Sequence, residues 1–234
     1  MTLPSQQRRW RGLGASAALA FAVALLVFPG TAESRKVKKG SVAGAVAITG
    51  TDGKPKNARG GIVVAVTGVP GAKAAPMTAE LRQKDKQFAP GVLVVTKGST
   101  ISFPNEDKIF HNVFSVSPAA RFDLGLYKSG TAKSVTFKRA GVVQVFCNIH
   151  PDMIAQIAVL DTPYWTTTAP DGSFRIDGLP PGTYPVSAWH PHGDPWSGKV
   201  TITDGGVATL AIAVTDTDQA AHPRKDGTPY GRYK

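Results

Sequence analysis

From Thr78 to Asp161 the chain is written in short runs of Val, Ile, Thr and Phe, each cut off by Gly, Pro, Asn or Ser. Side chains alternate across a strand, so runs of roughly four to seven such residues between turn formers suit a sheet and not a helix. The runs are Ala79–Arg82, Val92–Thr96, Thr100–Phe103, Asn112–Val116, Lys133–Phe137, Val142–Phe146 and Ile154–Leu160. Only Pro118–Asp123 suggests a turn of helix. Upstream, Val42–Ile48 and Ile62–Val66 read as a hairpin around Asp52-Gly53-Lys54-Pro55, and Val69–Met77 reads as a loop. Downstream, Thr166–Ala169, Ser173–Ile176, Val186–Trp189, Lys199–Ile202 and Ala208–Val214 repeat the strand grammar. Its 25 glycines and 18 prolines occupy 43 of 234 positions, about 18% against a usual 12%, so turns are plentiful. The expected class is all-β, packed as sandwiches or barrels.

The amino terminus carries an address. Arg8, Arg9 and Arg11 precede an uncharged run from Gly12 to Phe28, then Pro29, Gly30, Thr31 and Ala32. A basic start, an apolar middle and small residues make a signal peptide, 1–32, cut after Ala32. The apolar run is too short and too rich in Ala and Gly for a good membrane span. Gln7 and Arg11 fit a twin-arginine pattern poorly, so the export route stays open. No later stretch could span a membrane, and the expected location is periplasmic or secreted.

The formal net charge is +11; without residues 1–32, 24 basic residues face 16 acidic ones, a balance of +8. The lysines and arginines are scattered and no nucleic-acid-reading motif accompanies them, which excludes that class. A basic surface suits an acidic protein partner. Cys147 is the lone cysteine, so an intramolecular disulfide is impossible and the thiol must be inert, reactive or a ligand.

The chemistry concentrates at Cys147-Asn148-Ile149-His150-Pro151-Asp152-Met153, a C-x2-H-x2-M spacing, with His111 upstream in Phe110-His111-Asn112-Val113. One thiolate, two imidazoles and one thioether suit a trigonal copper site with a weak axial sulfur. Zinc would accept the thiolate and imidazoles; the thioether favours copper. Asn112 is placed to hydrogen-bond to the ligand loop, as groups behind a metal's ligands often do. Phe103, Phe110, Phe114 and Phe146 are expected to fill the core.

These residues resemble the cupredoxins, the blue-copper family of plastocyanin, azurin and amicyanin, over 76–161, and the short ligand loop is most similar to amicyanin's. The stretch from Phe88-Ala89-Pro90 through Gly98-Ser99-Thr100 to Pro104-Asn105 resembles that family's approach to its first histidine. The resemblance implies a Greek-key sandwich and one type 1 copper, with His111, Cys147 and His150 equatorial and Met153 axial.

Gly172-Ser173-Phe174-Arg175-Ile176 and Gly178-Leu179-Pro180-Pro181-Gly182-Thr183-Tyr184 are similar to the carboxypeptidase regulatory-like domain, a small transthyretin-like sandwich. In that family a strand pair with a D-G-K-P turn comes first. Here that pair precedes the copper segment, which suggests a sandwich split as 41–75 and 162–215 around an inserted module. Two modules in series, with 41–75 adding strands to the cupredoxin, also satisfy the sequence. Residues 216–234 read as a mobile tail holding a solvated His222. His190, His192 and Asp194 could hold a second ion or close a strand-end loop.

The functional expectation is an exported one-electron carrier, not an enzyme, since the further histidine-rich sites of copper oxidases and nitrite reductases have no counterpart. Its partner would be a redox protein such as a cytochrome or dehydrogenase, docking at the His150 edge on Ile149, Pro151 and Ile154. Copper binding, buffering or delivery without redox turnover is the alternative. Partner identity, reduction potential and oligomeric state are not legible.

Overall fold

The computed structural model describes residues 36–56, 60–217 and 224–228; the expected signal peptide and His222 lie outside them. The described strands run β1 (Gly40–Gly50), β2 (Pro55–Lys56), β3 (Val63–Val66), β4 (Thr78–Glu80), β5 (Arg82–Lys84), β6 (Gln87–Ala89), β7 (Val92–Thr96), β8 (Thr100–Pro104) and β9 (His111–Ser117). They continue as β10 (Ala120–Tyr127), β11 (Ala132–Thr136), β12 (Gly141–Phe146), β13 (Ile154–Leu160), β14 (Trp165–Thr167), β15 (Ser173–Leu179), β16 (Gly182–Trp189), β17 (Trp196–Ile202) and β18 (Val207–Asp216). No helix among the described residues is long and apolar enough to cross a membrane.

Two hydrophobic cores sort these strands. The inner core draws on Leu81 to Val159, with Phe103 and Phe137 fully buried among Ile101, Val113, Val143, Val145 and Ile157. Each such ring contributes about 2–3 kcal/mol by leaving water. Around it lie a five-stranded sheet in the order β10-β9-β12-β13-β7 and a three-stranded sheet β11-β8-β4. The outer core draws on Val42 to Val69 and Phe174 to Val214. Its sheets are β15-β1-β18, with β2 on β1, and β14-β3-β16-β17. Alternation does the sorting: in β15, Phe174 and Ile176 are buried while Ser173, Arg175 and Asp177 face solvent.

Two expectations give way here. Val42–Ile48 and Ile62–Val66 do not form a hairpin with each other. β1 turns back only onto β2, through Ile48↔Lys56 and Thr49↔Pro55, whereas β3 pairs with β14 and β16 in the opposite sheet. The reason is that all four residues of β3 are buried. Val64 and Val66 enter the outer core, while Val63 and Ala65 line a crevice of ≈ 460 Å³ with Val142, Ala158 and Leu160 of the inner sandwich. A strand covered on both faces cannot sit at a free hairpin edge.

Pro118–Asp123 is not a turn of helix but leads into β10. The alternation of β10 is broken by a bulge between Asp123 and Leu126, where Gly125 takes φ 66°. Only glycine adopts that angle without strain, and a bulge re-aims the side chains beside it. Asp123 receives the Gly125 N–H at 2.9 Å and is thereby held at the metal end of the sheet.

Of the stretch expected to be a mobile tail, residues 216–217 and 224–228 are described. Asp216 ends β18 with Lys56 at 2.8 Å, Thr217 hydrogen-bonds to His192, and residues 224–228 form a turn bonded to the ligand loop.

Candidate metal centre

β12 ends at Phe146 and β13 begins at Ile154, so the intervening loop carries Cys147, His150 and Met153. The loop is closed by two backbone bonds, Met153 N to His150 O and Cys147 N to Met153 O, both 3.2 Å. His111 opens β9, which pairs with β12 through Phe114↔Phe146. Sheet register thus delivers the imidazole to a loop 36 residues away.

The donor atoms converge. His111 Nδ1 lies 3.1 Å from His150 Nδ1, and Cys147 Sγ lies 4.0 Å from the first and 3.6 Å from the second. A single ion with bonds of about 2.0 Å to nitrogen and 2.3 Å to sulfur spans a triangle of this size. Two imidazole nitrogens so close, beside a sulfur, are also an unfavourable set of lone pairs unless a proton or a cation lies among them. Cys147 and His111 are fully buried and His150 is half-buried. Met153 is fully buried in the same core cluster as Cys147, bonded to the loop through its backbone. Among the described residues, the His, Cys and acidic donors that gather within 4.8 Å of one another are His111, Cys147 and His150.

A carboxylate stands behind the first histidine, and the sequence reading missed it. Asp107 Oδ2 lies 2.7 Å from His111 Nε2, which fixes the ring so that Nδ1 faces the cluster. Asp107 is itself cradled by the N–H groups of Asp85 at 2.7 Å and Lys86 at 2.9 Å. Those two residues form the turn between β5 and β6 with φ 55° and 57°, a left-handed pair rarely built without glycine or asparagine. The strain puts both amides on one carboxylate. Burial raises the Asp107 pKa, but the Lys86 amide, His111 and the Asp85 amide outweigh it and hold the group below its ordinary range. Asn105 fixes the same loop, donating to Ile109 O at 2.8 Å and accepting from Asp107 N at 3.0 Å. Since Asp107 lies in the loop before β9 and His111 opens that strand, their spacing of four carried no periodic signal.

The other histidine ligand is more exposed. Burial lowers the His150 pKa, His111 and Lys86 lower it further, and Asp107 opposes them. Below the cluster, Tyr127 sits opposite His111 in the sheet and donates to Phe103 O at 2.9 Å. Burial raises the Tyr127 pKa well above its usual value, against the Gln83 hydrogen bond, so it stays a neutral phenol.

Asn112 makes the hydrogen bond expected of it: its Oδ1 accepts the Asn148 N–H at 3.3 Å. Of the four phenylalanines assigned to the core, Phe103, Phe114 and Phe146 are buried, but Phe110 is 58% exposed beside His111. Ile149, Pro151 and Ile154 of the expected rim are each half-buried. Ile149 packs partly into the core, and the exposed apolar groups at this end are Phe110, Ile109 and Leu126. His190, His192 and Asp194 do not form a second donor cluster. His190 accepts the His192 N–H at 3.2 Å and lies 4.0 Å from Asp216, which closes the loop between β16 and β17.

Residues 154–215 match the family model of the carboxypeptidase regulatory-like domain. The match begins eight residues before the expected boundary at 162 and takes in β13, which pairs with β12 and β7 of the inner sandwich. No curated protein matches the chain. Similar solved structures include a purple cupredoxin from Nitrosopumilus maritimus, 20% identical over 35% of this chain and 98% of that one, TM-score 0.32. A Cu(I) form of an amicyanin variant is 21% identical over 41% of this chain and 97% of its own, TM-score 0.33. A Cu-containing nitrite reductase from Thermus scotoductus is 25% identical over 40% of this chain and 25% of its own, TM-score 0.34. The described residues thus form an all-β protein in which 154–215 match the carboxypeptidase regulatory-like domain.

Proposed function

We propose that the chain is an exported type 1 copper protein that carries single electrons, with His111, Cys147 and His150 as equatorial ligands and Met153 as the axial one. The observation that carries this reading is the triangle of two Nδ1 atoms and one Sγ, 3.1, 3.6 and 4.0 Å on its edges. Bound copper would supply a one-electron couple. The protein's part is to hold the donors still: Asp107 orients His111, the closed loop places Cys147 and His150, and the apolar core around Cys147 and Met153 keeps water away. Rigid donors lower the reorganisation that each transfer requires, and a soft sulfur pair tolerates both oxidation states.

His150 is the way in. It lines a shallow surface hollow with Lys86, Pro151 and Asp152, and Lys86 also borders the neighbouring hollow of Asp107, Lys108 and Ile109. Exposed Phe110 and Ile109 next to these lysines suit a partner that is both acidic and apolar, such as a cytochrome or dehydrogenase. We read the chain as a carrier and not a catalyst on the same ground, because one centre with one half-exposed ligand meets a carrier's needs.

The test is addition of Cu(II) to the full chain, watched by absorption and electron paramagnetic resonance. An intense thiolate-to-Cu(II) charge-transfer band and fast electron self-exchange are expected. A colourless product that retains zinc overturns the copper reading. A blue protein with slow self-exchange that yields copper readily to an acceptor would instead be a delivery protein. Asp107→Ala is expected to weaken copper retention by about 10- to 100-fold, the usual cost of removing the group behind a metal-bound histidine, as read from competition with a chelator. Unchanged retention would remove Asp107 from the site.

A further inference from the structure

Nothing in the composition of 216–234 points at the metal centre, yet its described turn is fastened there. The Lys225 N–H donates to Asn148 Oδ1 at 2.9 Å, and the Lys225 ammonium meets Asp123 Oδ2 at 2.7 Å. Asp123 Oδ1 accepts from Asn112 Nδ2 at 2.7 Å, and Asn112 Oδ1 accepts the Asn148 N–H at 3.3 Å. The bonds close a ring: Lys225, Asp123, Asn112, Asn148 and back to Lys225. Asn148 directly follows Cys147 and Asn112 directly follows His111, so the ring grips the backbone beside two of the converging donors.

The turn is built to present that lysine. Arg224 N bonds to Thr228 O at 2.8 Å and Gly227 N to Arg224 O at 2.9 Å. The Asp226 side chain accepts from Thr228 N at 2.9 Å and from its hydroxyl at 2.6 Å. The receiving carboxylate is placed by the bulge at Gly125. Burial raises the Asp123 pKa, but Lys225, Gly125 and Asn112 together hold it below the ordinary range, so it is an anion at neutral pH and a fit mate for an ammonium.

We propose that residues 224–228 are a strap on the ligand loop and that Lys225 is a positioning residue which, through Asp123 and Asn112, keeps Cys147 enclosed and His111 and His150 in register. Residues 224–228 are therefore part of the metal centre's frame, and the strap sets how readily the centre opens. Its effect on copper retention rests on the copper reading above; the strap itself does not.

The test uses the metal-free full chain first. Lys225→Ala is expected to speed maleimide modification of Cys147 and amide exchange of Asn148 by about 3- to 5-fold, the size of an exposed charge pair acting on a local opening. A chain ended after Thr217 should do the same or more, and Lys225→Arg should restore the parent rates. In the copper-loaded protein the first two variants should release copper to a chelator faster by a similar factor. Parent-like thiol reactivity and amide exchange in both the alanine variant and the shortened chain overturn the strap. Raised rates in a protein that never takes up copper leave the strap standing and remove the copper reading instead.

Discussion

Cys147→Ser is expected to abolish the charge-transfer band and to lower copper affinity by at least about 100-fold, more than loss of a group behind a ligand costs. A hydroxyl lacks the soft, polarisable electron pairs that a thiolate offers to copper. The residue is fully buried between the His111 and His150 imidazoles and Val145, Tyr127, Met153 and Ala155, so serine also sets a shorter, more polar hydroxyl there, which costs about 1–3 kcal/mol where its shorter bond fails to reach a ring nitrogen. The two effects are separable. Cys147→Ala avoids the buried hydroxyl, loses the metal to the same extent, and should unfold within about 1–2 kcal/mol of the metal-free parent. Thermal unfolding of the metal-free proteins, set beside copper titrations of each, gives both numbers. A serine or alanine variant that still turned blue would remove Cys147 from the centre.

Gly44→Ala is expected to destabilise the outer sandwich by about 3 kcal/mol, the upper end for forcing an atom into a packed interior. Gly44 lies in the middle of β1, between Phe174 of β15 and Leu210 of β18. A Cβ there would sit 1.7 Å from the carbonyl oxygen of Leu210 and 3.1 Å from the Phe174 ring. A ring edge can turn aside, but a backbone carbonyl within a ladder cannot move without breaking its neighbours. The fluorescence that reports this is well placed, because Trp165, Trp189 and Trp196 all belong to the outer sandwich and the fourth tryptophan, Trp10, falls in the stretch expected to be a signal peptide. The expected shift of the fluorescence midpoint is roughly 10 °C for a domain pair of this length. The result bears directly on chain organisation. If 41–75 merely added strands to the inner sandwich, alanine at Gly44 would leave the tryptophan transition in place.

Some of this was open to reading residue by residue. Val92–Thr96 and Ile154–Leu160 coincide with β7 and β13 to the residue, because both are mostly apolar runs without Gly or Pro, bounded by Gly91 and Gly98 and by Pro151 and Asp161. The donor spacing from Cys147 to Met153 was equally plain, since three ligand types within seven residues need no partner to be noticed. β10 was not readable, because a bulge at Gly125 destroys the alternation that marks a strand. The β5–β6 hairpin was missed for a related reason: Asp85 and Lys86 turn it without the glycine or asparagine that announces such a turn. Phe110 was misassigned because an aromatic residue between an apolar neighbour and a ligand carries no mark of which way it faces.

What the amino-acid order alone determined is local: strand-forming runs, turn chemistry, and a thiol, imidazole and thioether close enough along the chain to share one loop. What only the tertiary structure decided is which distant segments meet. His111 reaches Cys147 by sheet register, the left-handed turn at Asp85 and Lys86 reaches Asp107 behind His111, and Lys225 reaches Asp123 across 102 positions. Such contacts depend on long-range pairing and on single hydrogen bonds, which leave no periodic trace in composition or spacing.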